Sequence, residues 1–376
     1  MPRNETYLDW NATAPLRPEA AAAMTAALAH CCNPSSVHRW GRAARAAVER
    51  ARAAVAALVG ATSEGVIFVS GGTEANHLAL LGTGRRRVLV SAVEHDSVLR
   101  ATPEAEQIPV DGNGIVRLDV LESMLFADST PALVSVMLAN NETGVIQPVA
   151  EIAALAHVRS ALLHCDAVQA GGKIPLDATA IGADLVTLSA HKLGGPPGVG
   201  ALVVTRGLDL IPLLRGGGQE RGRRAGTEHL AGIAGFAAAA KAAAAQIAVY
   251  DRVRRLRDGL EAEVKTLAPQ AVVVGAAARR LPNTTAIAMP GLAAETQIIA
   301  LDLDGVMVSA GAACSSGKVG PSHVLAAMGA SPDIARSTIR VSLGWSTSED
   351  DVAHFLQSWT ALYRRRRGGA EEARAA

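Results

Sequence analysis

Ser189, His191 and Lys192 stand together in TLSAHKLGGPPGVGALVV, residues 187–204, where the apolar run DLVTLSA gives way to four glycines and two prolines. In open α/β sheets ligands bind beyond the carboxyl ends of strands, so an amine at such a place can meet one. A lysine whose pKa is lowered by burial or by neighbouring cations condenses with a carbonyl as a Schiff base. The hydroxyl and imidazole beside it suit a phosphate. Taken alone, Lys192 reads as an ordinary surface residue. Two other strand ends carry polar groups. After VIFVS, Gly71, Gly72 and Thr73 open a helix, and small residues there leave backbone amides available to an anion; an ordinary turn with Thr73 as N-cap explains the stretch as well. After ALLHC come Asp166 and, three residues on, Gln169. A carboxylate there can hold a proton on a heterocyclic nitrogen while the amide bonds a neighbouring ring oxygen. Cap and turn roles explain the pair when isolated.

Together the three places ask for one ligand with a phosphate, a ring nitrogen and an aldehyde. Those are the demands of pyridoxal 5′-phosphate (PLP), whose ring acts as an electron sink. Rival signatures are weaker. No GxGxxG lies between a strand and a helix, and GAACSSGK, residues 311–318, lacks the P-loop spacing and is followed by Val319 where Ser or Thr would hold magnesium. That segment matters otherwise: SAGAACSSGKVGPS, residues 309–322, surrounds Cys314 with small residues, which predicts a loop carrying an exposed, nucleophilic thiol.

The elements that must position these groups alternate along the chain: VIFVS, TEANHLALLG, RVLVSA, LVSVML, PVAEIAALAHV, ALLHCDA, DLVTLSA and ALVVT, with DGNG as a turn. Alternation of this kind predicts an α/β fold with a mainly parallel sheet. Pro18 starts one helix; a second runs from about Ser36 to a stop at Gly60. A long alanine-rich helical region from about Thr227 to Leu267 precedes a second cluster: NTTAIAMP, a helix near Glu295 to Leu303, VMVSA, STIRVSL and a final helix. The expected division is a large domain over residues 14–245 and a small domain from residues 1–13 and 246–376.

The 376 residues are 49% hydrophobic but only 3% aromatic, so Ala, Leu and Val must fill the core. A formal charge of +1 argues against a nucleic-acid footprint covering a whole face, and Arg364 to Arg367 read as a solvated helix end. No signal peptide is evident in MPRNETYLDW, which suggests a soluble, cytoplasmic protein. Cysteines at 31, 32, 165 and 314 show no regular spacing. His30, Cys31, Cys32 and His38 form the only metal-like cluster, and adjacent cysteines strain one tetrahedral site. Cys165 reads as a core filler, and His77 and His164 as structural.

Ten stretches in order carry a family resemblance: YLDWNATAP, NPSSVHRWGR, SGGTEANHLA, VEHDSVL, NNETGVIQPV, HCDAVQAGGKIPLD, SAHKLGGPPGVGAL, GGGQERGRRAGTEH, SAGAACSSGKVGPSHVL and STIRVSLGWSTSEDD. The chain resembles the NifS/IscS-like cysteine desulfurases, PLP enzymes of the class V aminotransferase fold (fold type I). The resemblance implies a seven-stranded sheet in the large domain. It implies that Lys192 holds PLP, that His95 stacks on the ring and moves a proton, that Asp166 pairs with the ring nitrogen and Gln169 with the ring hydroxyl, and that Asn141 orients cofactor and substrate. Gly72, Thr73, Ser189 and His191 would bind the phosphate, Thr227 would reach the phosphate of the other subunit of a homodimer, and Arg340 would grip the substrate carboxylate near Asn11. L-cysteine would yield alanine and a persulfide on Cys314, for an iron-sulfur scaffold or sulfur carrier and thence for iron-sulfur clusters or tRNA thiolation. No resident metal is implied; Cys314 is the residue that can ligate iron during sulfur delivery.

SAGAACSSG resembles the subgroup with the longer active-cysteine loop, and the RxGxxCA pattern of the other subgroup is absent. The ending RRRRGGAEEARAA lacks the long extension by which some relatives dock a scaffold, leaving the acceptor open. A selenocysteine lyase, or another class V transaminase or lyase, is the alternative; a transaminase needs no thiol at 314. A non-catalytic binding subunit would lack one of Lys192, Asp166 or Cys314.

Overall fold

The computed structural model describes residues 5–29, 33–311 and 322–375, with side chains as far as residue 366. Its larger sheet has seven strands in the spatial order Val66–Val69, Gly200–Val204, Leu185–Ser189, Leu162–Asp166, Ala132–Ser135, Arg87–Ser91 and Glu106–Ile108. Only Gly200–Val204 runs antiparallel to its neighbours. The reason is local: Leu185–Ser189 and Gly200–Val204 are joined by only residues 190–199, too short for the crossover that a parallel pair needs. Lys192 sits on that short connection.

Both faces of the sheet are covered. Within Val66–Val69, Val66 and Phe68 join one buried cluster with the helices Arg39–Leu58 and Leu230–Ala245, while Ile67 and Val69 join another with the helix Gly72–Gly82. This is the two-residue alternation of a strand buried on both sides. Alanine fills the first cluster because the helices lie close. A Cβ on Gly235 would sit 2.7 Å from Cγ of Met24 on the helix Pro18–Leu28, so large side chains have no room there.

A four-stranded antiparallel sheet, ordered Ser309–Ala310, Thr338–Ser342, Thr284–Ala288 and Val272–Val273, builds the second core with the helices Val249–Leu267 and Glu349–Ala375. Residues Thr6–Tyr7 pair in parallel with Val306–Met307, and Leu8 enters this second core. The run VMVSA is therefore divided between two sheets. The helical region 227–267 is also divided: Leu230–Ala245 and Val249–Leu267 meet at a 73° bend. One half packs Ile233, Phe236 and Ala240 into the first core and the other packs Tyr250, Val253 and Leu260 into the second, which a straight rod cannot do. The helix expected from Ser36 starts at Arg39 instead, because Nδ1 of His38 accepts the amide of Gly41 as an N-cap.

Candidate active site

Strand ends converge on a cavity of about 320 Å³ lined by Asn11, Gly72, Thr73, Asn76, His95, Ser97, Asn141, Asp166, Gln169, Ser189, His191, Lys192 and Arg340, among others. Lys192 ends a single 3₁₀ turn, Ala190–Lys192, after its strand. Its Nζ donates to the carbonyls of Asn11 at 2.6 Å and Ala12 at 2.8 Å. The glycines that follow let the backbone pass where side chains would clash. Gly194 has φ +83° and lies under Arg17 and Trp345, and a Cβ on Gly200 would stand 2.7 Å from the carbonyl carbon of Gly71.

Asp166 ends the neighbouring strand. Its Oδ1 accepts the amide of Val168 at 2.9 Å and its Oδ2 accepts Nδ2 of Asn76 at 2.8 Å. The second hydrogen of Asn76 goes to Oγ of Ser97 at 2.8 Å. Ser97 in turn gives its amide to Nδ1 of His95 at 3.0 Å, with Oγ 2.8 Å from the same nitrogen. A backbone amide can only donate, so Nδ1 carries no hydrogen and neutral His95 holds its proton on Nε2.

The helix Gly72–Gly82 opens at Gly71 with no side-chain cap, so its first amides are available to an anion at the cavity wall. A Cβ on Gly72 would lie 3.1 Å from Cγ2 of Val168 and 3.6 Å from Cβ of Ser189, so this turn is packed tightly against the two strand ends. His191 is held by Oγ1 of Thr13 at 3.2 Å. Burial, followed by the charges of Lys192 and Lys173, lowers its pKa from 6.5 to about 4.

Arg340, on Thr338–Ser342, donates Nη2 to Asp9 at 2.6 Å and Nη1 to the carbonyl of Asn141 at 3.1 Å. Its Nε is buried with no partner among the described residues. A buried donor left unpaired is costly, and here it belongs to a residue lining the cavity. Asn11 is a hub more than a wall. Its carbonyl accepts Lys192 and Gln169, its Oδ1 accepts Lys173 and Asn283, and its Nδ2 reaches Thr284.

Thr227 lines a separate cavity with Phe68, Gly198, Arg224 and His229. Cys314, and the His30, Cys31 and Cys32 of the metal-like cluster, lie outside the described residues. Among the described residues no group of three or more His, Cys, Asp or Glu could hold a metal ion. His38 caps a helix, and His164 is buried between Oγ of Ser135 and Oγ1 of Thr187. Cys165 is buried, its thiol pushed up by burial and then by Asp166 and Glu94. Asn76, Lys173 and Asp9 have no place in the sequence reading. Their spacing gives no signal, because only the folded sheet shows that they are buried or paired beside the cavity.

An amine and a carboxylate at adjacent strand ends, facing an uncapped helix N-terminus, define a class. The aminotransferase class-V family pattern matches residues 6–355, and that family implies a PLP cofactor. The donor set here fits the group: an amine for the aldehyde, a carboxylate for the ring nitrogen, and backbone amides with Ser189 and His191 for the phosphate. Narrower likeness follows. A cysteine desulfurase of Cereibacter sphaeroides is 43% identical over 366 residues, covering 93% of this chain and 94% of that protein. The cysteine desulfurase IscS of Dictyoglomus turgidum is 40% identical over 369 residues, covering 94% and 93%. A NifS-like protein from Rickettsia africae ESF-5 superposes with a TM-score of 0.89 at 35% identity, covering 96% of this chain and 100% of that one. The chain belongs to the aminotransferase class-V family and, within it, to the cysteine desulfurases.

Proposed function

We propose that the cavity holds PLP on Lys192 and removes sulfur from L-cysteine, releasing L-alanine and leaving the sulfur on Cys314. The observation that best supports this is the meeting of Lys192, Asp166 and Arg340 as lining residues of one cavity. PLP, when bound, supplies an electron sink for bonds at the substrate Cα. Asp166, held in place by Asn76 and the amide of Val168, keeps the ring nitrogen charged. Gln169 and Asn141 orient the ring and the substrate. Gly72, Thr73, Ser189 and His191 bind the phosphate, with Thr227 reaching across to the phosphate held by a second copy in a homodimer. Arg340, with Asn11 beside it, binds the substrate carboxylate.

His95 carries its hydrogen at Nε2 and exchanges a proton from there. The thiolate of Cys314 attacks the substrate sulfur, an S–S bond forms, and the C–S bond breaks. Its electron pair passes to carbon, which is protonated to give alanine. A small-residue segment suits a nucleophile that must first reach the substrate and then an acceptor. The acceptor would be an iron-sulfur scaffold or a sulfur carrier in the cytoplasm, with Cys314 able to ligate iron during transfer.

The decisive variant is Cys314→Ala. It should retain the cofactor, fixed by borohydride to the peptide containing Lys192, yet form no alanine from cysteine. Desulfuration at the wild-type rate by this variant would remove Cys314 from the reaction.

A further inference from the structure

In HCDAVQAGGKIPLD nothing marks Lys173 as more than a polar residue after two glycines. The fold buries it to 3% exposure beneath the cavity. Its Nζ donates to Oε1 of Gln169 at 2.9 Å and to Oδ1 of Asn11 at 3.1 Å. Both partners are neutral amides, and among the described residues it has no ion pair. The charged groups acting on it are Lys192 and Arg340, both cations, and with burial they lower its pKa well below 10.5. An amine buried among like charges costs stability. A methionine would fill the same space at lower cost, so the nitrogen needs a reason.

The reason lies in hydrogen-bond direction. A lysine nitrogen in its ammonium form has three donors and no acceptor. The oxygen of the Gln169 amide must therefore face Lys173. That leaves Nε2 on the other side, where it donates to the Asn11 carbonyl at 3.0 Å and has a second hydrogen to offer the cavity that Gln169 lines. Lys173 and the Asn11 carbonyl thus hold the amide from its two ends, and without Lys173 only the Asn11 carbonyl opposes a turn of the oxygen toward the cavity.

We propose that Lys173 is a positioning residue: it locks the Gln169 amide with Nε2 toward the cavity, as a donor for the ring oxygen of the cofactor. The proposal rests on the PLP reading above. A donor at that oxygen stabilises its anionic form, so the Lys192-linked chromophore loses its proton at a lower pH than it otherwise would.

The test is a spectrophotometric pH titration of the purified holoenzyme without substrate. Lys173→Met should raise the midpoint of the colour change by about one unit, and Gln169→Leu should raise it by a similar amount. The double variant should go no further than Gln169→Leu alone. Lys173→Gln keeps a neutral donor and should titrate close to wild type. An unchanged midpoint in folded Lys173→Met overturns the proposal, as does an additive shift in the double variant, which would mean a direct charge effect. If Lys173→Met does not fold, Lys173→Gln decides: a midpoint raised as far as that of Gln169→Leu sinks the idea. A wild-type protein with no chromophore would instead overturn the cofactor reading itself, and the proposal with it.

Discussion

The amide of Asn76, on the helix Gly72–Gly82, meets the carboxylate of Asp166, at the end of the strand Leu162–Asp166, at 2.8 Å. One side chain thereby ties two of the cavity's elements. Its other hydrogen runs through Ser97 to His95, so the acid and the imidazole share a support. Asn76→Ala leaves Asp166 with the Val168 amide as its remaining donor among the described residues. The expected result is a loss of about 1–2 kcal/mol of stability and a fall in kcat of about tenfold. Steady-state kinetics beside thermal denaturation checks both; an unchanged kcat would show that Asp166 and His95 hold their places without it.

Arg340 offers a fork, and Nε is the prong left unpaired. Lysine cannot reproduce it, since a single ammonium must choose between Asp9 and the substrate. Arg340→Lys should lower kcat/KM for cysteine by about 100-fold, mostly through KM. A variant with normal KM would place the carboxylate elsewhere.

Two histidines set an acid limit on the fold. Burial lowers the pKa of His164 to about 4 from 6.5, and His191 is lowered to about 4 by burial and by its lysine neighbours. Both are lowered in the folded state, so between pH 4 and 6.5 the unfolded chain binds more protons. Stability from this source is therefore complete above about 6.5 and is lost as pH falls toward 4, by about 3 kcal/mol for fully buried His164. Thermal melts across that window should show the decline. His164→Asn should be less stable at pH 8 yet lose less on acidification. Equal slopes would assign the acid sensitivity to other groups.

What the sequence carried legibly was the frame and the groups at its strand ends. Lys192, Asp166 and Gly72 each follow an apolar run, and a run that ends in a polar residue marks both the strand and the place where a ligand can bind. The polar edge strand Glu106–Ile108 and the helix Leu118–Ala127 gave no such contrast and were not anticipated. The second layer of the site was hidden for a related reason. Asn76 lies on a helix and Lys173 in a turn, and polar residues in such places ordinarily face water. That one meets Asp166 and the other Gln169 depends on sheet order and register, which no local spacing encodes. Thr227 shows the limit from another side: within one chain it faces a different cavity, and its expected role requires a second copy.

Arg52 and Glu220 form a bidentate pair at 2.6 and 3.1 Å with both side chains almost fully buried. Glu220 also accepts the amide of Phe68 at 2.9 Å, so the pair pins the GGGQERGRRAGT segment to the first strand of the sheet. Glu220 itself has φ +46°, an unfavourable conformation for a side-chain-bearing residue, which the pair must offset. Removing the arginine strands a buried carboxylate. Arg52→Met should therefore cost about 3 kcal/mol or more, read by chemical denaturation. The double variant Arg52→Met with Glu220→Gln should recover part of that loss, since the stranded charge is gone. If the double variant is no more stable than the single, the cost lies in packing against Phe68, over which the Arg52 guanidinium sits at 5.0 Å, and not in the charge.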